Sequence, residues 1–193
     1  MLLLLFLEAS LSPVFRAVLP SQVAEVLAGR RMWSRIDSSL WSQADAESDS
    51  AMDINGAHLH VRDDDGRVAA ALRLTPKRAT RWVQEPRYDL FALATKFGCS
   101  VDEVALIDRG WAHPLFRRQG LIRSLVFAAF DSARTDGHSV ALSVTEDDNR
   151  GGVGVLADAG FQPVRRVALA PGRRFTIWGR SLGDRRPDAD NVR

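Results

Sequence analysis

The residues best placed to do chemistry run Ala112-His113-Pro114-Leu115-Phe116-Arg117-Arg118-Gln119-Gly120-Leu121-Ile122, between an apolar alternating run and an apolar helical run. Pro114 stops a strand, a basic turn with a glycine follows, and helical spacing then takes over. Such a turn aims unpaired backbone N–H groups and the positive end of a helix dipole at one point, where phosphate is the usual occupant. Gly120 lets the backbone approach a ligand closely, and Arg117 and Arg118 add charge beside it. The competing account is an ordinary strand-turn-helix whose basic turn is solvated. Arg73 and Arg109 lie inside apolar runs and so need carboxylate partners. Those partners are Asp53 or Asp108 in a structural ion pair, or the carboxylate of an amino-acid substrate. Cys99 as a nucleophile is the weaker idea, because a lone Cys is more often a small buried hydrophobe and no His pattern surrounds it. His58 and His60 share a strand face, but a third metal ligand is missing, so packing explains them better and no metal is expected.

These residues need a scaffold, and composition sets its class. At 193 residues the chain is long enough to bury the full core of one domain. A formal net charge of +2 is too small to argue for nucleic acid, and the arginines are scattered along the chain. The single cysteine forbids an internal disulfide and makes a reducing, cytoplasmic setting the expectation. The opening Met1-Leu2-Leu3-Leu4-Leu5-Phe6-Leu7 lacks a basic flank, is interrupted by Glu8, and falls short of the roughly 20 apolar residues of a membrane span. Residues 1–13 are therefore expected to be an N-terminal extension, 14–182 a single domain, and 183–193 a polar tail.

Periodicity predicts one mixed sheet with helices. Val14–Leu19 reads as a first strand, and Pro20 and Ser21 open a helix with apolar Val23, Val26, Leu27 and Met32. Ser34 to Asn55 reads as a loop with one short helix near Leu40 and Trp41. His58–Val61, the turn Asp63-Asp64-Asp65-Gly66 and Val68–Leu74 form the clearest hairpin. Thr75 to Ser100 is an irregular excursion with a helix over Leu90–Lys96. Glu103–Asp108 is a strand, and the helix after the basic turn, Gln119–Ala133, ends at Asp136-Gly137. His138–Glu146 alternates, with Val140, Leu142 and Val144 on one face. Asp148-Asn149 caps a short helix weakened by Gly151, Gly152 and Gly154, and strands Val164–Leu169 and Phe175–Ser181 close the fold through Pro171-Gly172.

This order of elements resembles the GNAT acyltransferase fold, an α+β three-layer arrangement with a mixed, mostly antiparallel sheet flanked by helices. Ala112-His113-Pro114-Leu115-Phe116-Arg117-Arg118-Gln119-Gly120 is similar to the family's V-x-P-x-[FY]-R-x-x-G signature, with Ala112 in place of Val. Asn149 followed by Ala159-Gly160-Phe161 is similar to its N…GF helix. The family's last signature position is Gly or Ala, and here it is Ile122. Asp53, the hairpin, and Leu72-Arg73-Leu74-Thr75-Pro76 resemble the D…RLxP pattern of the autoinducer synthases, a branch that includes N-acyl amino acid synthases. Phe91, Arg109 and Leu142-Ser143-Val144-Thr145 fall where that branch carries comparable residues, but its acidic position before the strand arginine is Leu106 here.

The resemblance implies transfer of an acyl group from an acyl thioester to a primary amine. Acyl-CoA or acetyl-CoA is the implied co-substrate, held by Trp111, Ala112, Arg117, Arg118, Gln119, Gly120, Leu121, Ile122 and Asn149. An alkyl amine with a pKa of about 10 is protonated at neutral pH, so a base or a water relay must take its proton. Glu103 and Asp108 are the base candidates; simple alternation sets Leu106 and Asp108 on one face and Glu103, Ala105, Ile107 and Arg109 on the other, and only Asp108 lies near the acyl site that the resemblance implies beside Trp111 and Ala112. Amides around Gly110 to Ala112 would polarise the carbonyl. Arg73 and Arg109 are the candidates for binding an acceptor carboxylate. The tyrosine that many family members use as general acid corresponds to Leu156, and the chain's only tyrosine, Tyr88, is elsewhere. Trp33 and Trp41 are candidates to cap an acceptor pocket. The partners this implies are a small-molecule amine, an acyl-carrier protein if the donor is carried that way, and a second copy of the chain. A non-catalytic module that binds acyl-CoA is the alternative from another class.

Overall fold

The computed structural model describes residues 13–17, 20–33, 52–76, 89–170 and 172–183. Residues 1–12 of the expected N-terminal extension, the helix near Leu40 and Trp41, Tyr88 and residues 184–193 of the polar tail lie outside these residues, as does the side chain of Trp33. Strands β1 (Val14–Ala17), β2 (Ala57–Arg62), β3 (Val68–Pro76), β4 (Val104–Ala112), β5 (Val140–Glu146), β6 (Gln162–Ala170) and β7 (Arg173–Ser181) form one sheet. Their order is β1-β2-β3-β4-β5-β7-β6. Every neighbouring pair is antiparallel except β4–β5, which is parallel. Helices α1 (Pro20–Trp33) and α2 (Leu90–Lys96) cover one face, and α3 (Leu121–Thr135) and α4 (Arg150–Asp158) the other.

The β2–β3 hairpin forms where Asp63 can accept from the Gly66 and Arg67 amides, the first through its carbonyl at 2.9 Å and the second through its carboxylate at 2.8 Å. Gly66 supplies the positive φ of 78° that this turn requires. Helix α3 buries Leu125, Val126, Ala129, Phe130 and Ala133, a one-sided stripe at helical spacing, against Leu59, Leu72, Ile107 and Trp178 of the sheet. The opposite face buries Val104, Leu106, Val140, Leu142 and Ile177 under Leu90 and Leu93 of α2. The expected facing of Val140, Leu142 and Val144 is therefore the one found.

Several expectations need correction. Helix α1 does not dock by a full apolar stripe, since Val26 is buried but Met32 is 70% exposed. It docks instead through Gly29, where a Cβ would lie 2.3 Å from the Trp111 ring, so only a residue without a side chain lets the helix approach. Helix α3 starts at Leu121 rather than Gln119, because Gly120 is left-handed with φ 77°. Glu103 is not on the strand. It closes a capping box on the single helical turn Val101–Glu103, accepting from the Ser100 amide at 2.8 Å.

Candidate functional site

Strands β4 and β5 pair only through Val104–Leu106 and Val140–Leu142. Beyond Leu106, β4 and β5 no longer pair with each other, so the sheet opens between them from Ile107 to Ala112. On its other edge β4 is irregular. Ala71 pairs with Trp111 and Arg73 with Asp108, so Leu72 stands opposite both Arg109 and Gly110. This is a β-bulge, and it places Arg109 at a φ of 55°. The extra residue breaks the simple alternation expected beyond Asp108. Trp111 is brought to the α1 face, where it packs with Val26 and Ala71, while Ala112 packs toward the α3 face.

The basic turn is built from its own polar groups. The His113 amide donates to the Ala69 carbonyl at 2.8 Å, and His113 Nδ1 accepts from the Leu115 amide at 3.3 Å. Gln119 Nε2 donates to the Leu115 carbonyl at 3.2 Å, and Arg117 Nε to the Ala112 carbonyl at 3.4 Å. Arg118 and Gly120 both take positive φ, 65° and 77°, which turns the chain sharply into α3. The first amides of a helix have no carbonyl one turn back. Here Gly120 brings no side-chain cap, and a Cβ on it would meet nothing within 4 Å. Among the described residues nothing caps this positively polarised helix start or fills the space at Gly120, and Arg117 and Arg118 are exposed beside it. A diphosphate group fits this donor set. Leu121 and Ile122 would contribute amides rather than side chains, since both side chains are half-buried against the core.

The two expected arginines have different surroundings. Arg73 is 1% exposed. Its Nε and Nη2 donate to both oxygens of Asp108 at 2.8 and 2.7 Å, and its Nη1 donates to Asp53 at 2.7 Å. Asp53 also receives Arg30, from Nη1 at 2.6 Å and Nη2 at 2.5 Å. His58 Nε2 lies 2.9 Å from the Asp53 carbonyl, and Gly56 makes room, because a Cβ there would come within 2.9 Å of Arg73 Cγ. The structural ion pair is thus formed, with two carboxylates and two arginines balancing in a buried setting. Arg30 was not singled out from the sequence. The available signal was charge balance: two carboxylates around one buried guanidinium call for a second cation. Arg109 sits half-buried on the bulge.

Asn149 caps α4, accepting from the Gly152 amide at 3.2 Å while its Nδ2 donates to Thr145 Oγ1 at 3.4 Å. Leu156 is buried in the core, so α4 offers no acid at that position. Cys99 is half-buried with its thiol directed to the Ala94 carbonyl at 3.5 Å, and burial pushes its pKa up, away from nucleophilic use. His58 and His60 are buried, and burial pushes both imidazoles below their ordinary range. Among the described residues no three side chains are grouped to hold a metal ion, and no helix is long and apolar enough to cross a membrane.

Comparison with known proteins fits this geometry. A family model described as the acetyltransferase (GNAT) family matches residues 26–161. No curated protein matches the chain in sequence. A Desulfovibrio desulfuricans protein assigned to the GNAT family is similar in structure, with a TM-score of 0.63 at 13% identity over 88% of this chain and 98% of that one. The ribosomal-protein-S18-alanine N-acetyltransferase of Escherichia coli matches with a TM-score of 0.60 at 11% identity, over 94% and 99%. A Salmonella typhimurium protein solved with its cofactor acetyl-CoA matches with a TM-score of 0.57 at 16% identity, over 92% and 98%. At these identities the likeness is one of fold.

Proposed function

Since the chain belongs to the GNAT acetyltransferase family, we propose that it transfers an acyl group from an acyl thioester, acyl-CoA, to the primary amine of a small molecule. One observation carries the reading. Among the described residues the start of α3 is open at Gly120, and Ile122 in its first turn lies beside Gly110 where β4 has parted from β5, an adjacency that supports phosphate donors and carbonyl donors serving one ligand. When bound, the thioester supplies an acyl carbon activated toward an amine. The chain's part is to hold and polarise it. Amides of Leu121 and Ile122 with Arg117 and Arg118 take the phosphates, Gln119 and Gly120 shape the turn, and Asn149 orders the start of α4. Amides between Ile107 and Ala112 face the carbonyl as an oxyanion hole does. Trp111 fixes the bulge from beneath.

The amine must lose a proton. Asp108 is the carboxylate on β4 nearest the opening, but both its oxygens already bind Arg73. Its reach toward an amine therefore runs through water. Arg73 acts as scaffold in this reading, and Arg109 on the bulge is the remaining candidate for an acceptor carboxylate. Asp53 and Arg73, on which the autoinducer-synthase resemblance rests, form a buried pair. They support a shared scaffold with that branch, whose carrier-protein donor would present the same phosphopantetheine arm. Leu156 in the core and an engaged Asp108 favour a second reading, a module that binds acyl-CoA without turnover.

Calorimetric titration with CoA, acetyl-CoA and a long-chain acyl-CoA, followed by thiol release with a panel of amines, tests these readings. Binding and thiol release support the acyltransferase. Binding without release under any amine supports the module. No binding to any of the three rejects acyl-CoA as donor.

A further inference from the structure

We propose that helix α1 is a cover over the sheet, released when His60 takes up a proton. Its docking is thin. Of its described side chains only Val26 is buried, packed with Ala71 and Trp111, and Gly29 lies against the Trp111 ring. Two ion pairs add to this. Arg30 binds Asp53, and Glu25 accepts from Arg62 at 3.1 and 2.8 Å and from the Val68 amide at 3.2 Å. The Glu25–Arg62 pair is solvated, with side chains 41% and 26% exposed, and such a pair holds a helix down only weakly.

Beneath the helix lie polar groups that the docked state leaves unmet. His60 pairs with Ala71, and Ala71 with Trp111, so both large side chains flank the residue on which Val26 packs. His60 is 1% exposed, and among the described residues neither of its ring nitrogens has a hydrogen-bond partner. The Trp111 indole N–H lacks one too. A neutral imidazole bears this at a cost, but a second proton puts a charge where no acceptor waits. The charged and titratable groups around it are Glu25 of α1 and Arg62 and His58 of β2. Strand β1 offers only the Phe15 ring, at 5.8 Å between centroids, and β3 the methyl of Ala71. Glu25 is already engaged by Arg62 and Val68, while Arg62 and His58 oppose a further positive charge.

Lifting α1 wets both groups and lets His60 hold a proton at its ordinary pKa of about 6.5. Burial keeps the docked imidazole below that, so the lifted form takes the proton first as pH falls. Lifting also draws Arg30 away from Asp53, which is joined through Arg73 to Asp108. The cover is thereby tied to the carboxylate that the proposed function uses, although its release does not depend on that function.

Amide hydrogen exchange of the full chain, read by mass spectrometry from pH 8 to 5.5 and corrected for the intrinsic rate at each pH, tests this. Glu25 stays ionised throughout that window. The α1 amides are expected to exchange at least about tenfold faster than those of α3, which open only with the whole molecule. Between pH 6.5 and 5.5 the protection of α1 should fall by up to about tenfold. His60→Leu, close in volume and without a titrating group, should remove most of that fall. Protection of α1 equal to that of α3 overturns the proposal, and so does an undiminished fall in folded His60→Leu. Should that variant not fold, Val26→Ala serves in its place. Weaker docking should then move the His60 midpoint, read from its carbon-bound ring protons by NMR, up toward 6.5. An unmoved midpoint overturns the proposal.

Discussion

Replacing Arg73 by methionine tests the buried charge network most directly. Methionine occupies much of the volume of arginine but carries no donor, so the substitution isolates the charge. It removes three short bonds, 2.8 and 2.7 Å to Asp108 and 2.7 Å to Asp53. Breaking a buried pair from one side typically costs about 3–5 kcal/mol, because the partner is left uncompensated. Two features place this case at the lower end. Asp53 keeps Arg30, and the Asp108 side chain is 17% exposed and can recruit water. The expected loss is therefore about 3 kcal/mol in urea unfolding at pH 7, with an unchanged m-value. For a chain of this size that corresponds to a fall in Tm of about 6–12 °C. The double variant Arg73→Met/Asp108→Asn should recover roughly 1 kcal/mol of it, since the stranded charge is gone. A loss under about 1 kcal/mol for Arg73→Met, or no recovery in the double variant, would refute a structural role for the network.

Gly29→Ala gains about 1 kcal/mol of helix propensity but drives a Cβ to 2.3 Å from the Trp111 ring. The overlap dominates, and a net loss of about 1–3 kcal/mol is expected from chemical denaturation; a stabilised variant contradicts the docking of α1. Gly120→Val places a branched side chain at a φ of 77° in the space assigned to phosphate. CoA affinity should fall at least about tenfold, and unchanged affinity rejects the phosphate turn. Asp108→Asn should lower kcat more than it raises the donor KM, and a wild-type pH–rate profile in that variant removes Asp108 from proton transfer. Burial depresses the imidazoles of His58 and His60, so the unfolded chain takes up their protons first as pH falls. Stability should therefore decline as pH drops below about 6.5, and His60→Phe should make the urea midpoint less dependent on pH in that range.

Different parts of this architecture were legible in the sequence for different physical reasons. The turn from Ala112 to Gly120 was readable because proline and glycine act locally, although the left-handed Gly120 starts the helix two residues later than helical spacing alone indicates. The hairpin at Asp63–Gly66 and the facing of β5 were readable on the same grounds, since alternation on a strand needs no knowledge of its neighbours. The bulge at Arg109 and Gly110 was not readable, because it exists only as a mismatch in count between β3 and β4. It is this mismatch that carried Trp111 to the α1 face. Arg30 escaped notice for a related reason: its partner Asp53 lies 23 residues away, and only the packed structure places them together. Glu103 is a different lesson. The spacing Ser100-x-x-Glu103 was a visible capping box, and the apolar run that follows it drew the strand boundary too early.

The narrow joint between β4 and β5 also bears on how the molecule comes together. Strands β1 to β4 lie on one side of that joint in chain order, and β5, β7 and β6 lie on the other, so the backbone crosses once, through α3. Each half contains one tight hairpin, β2–β3 in the first and β6–β7 in the second, which closes over a short turn. Within the sheet the halves pair over three parallel residue pairs, Val104 with Val140 through Leu106 with Leu142, and side chains of both halves complete the core on either face. So short a parallel pairing offsets little of the cost of closing the segment between β4 and β5, and docking of the halves is expected to be a late event in folding. A truncation in the joint such as Leu142→Ala should accordingly hasten unfolding while leaving the refolding rate nearly unchanged. The cleft belongs to neither half alone, so binding competence should return with this last step rather than with the recovery of helix and strand signals.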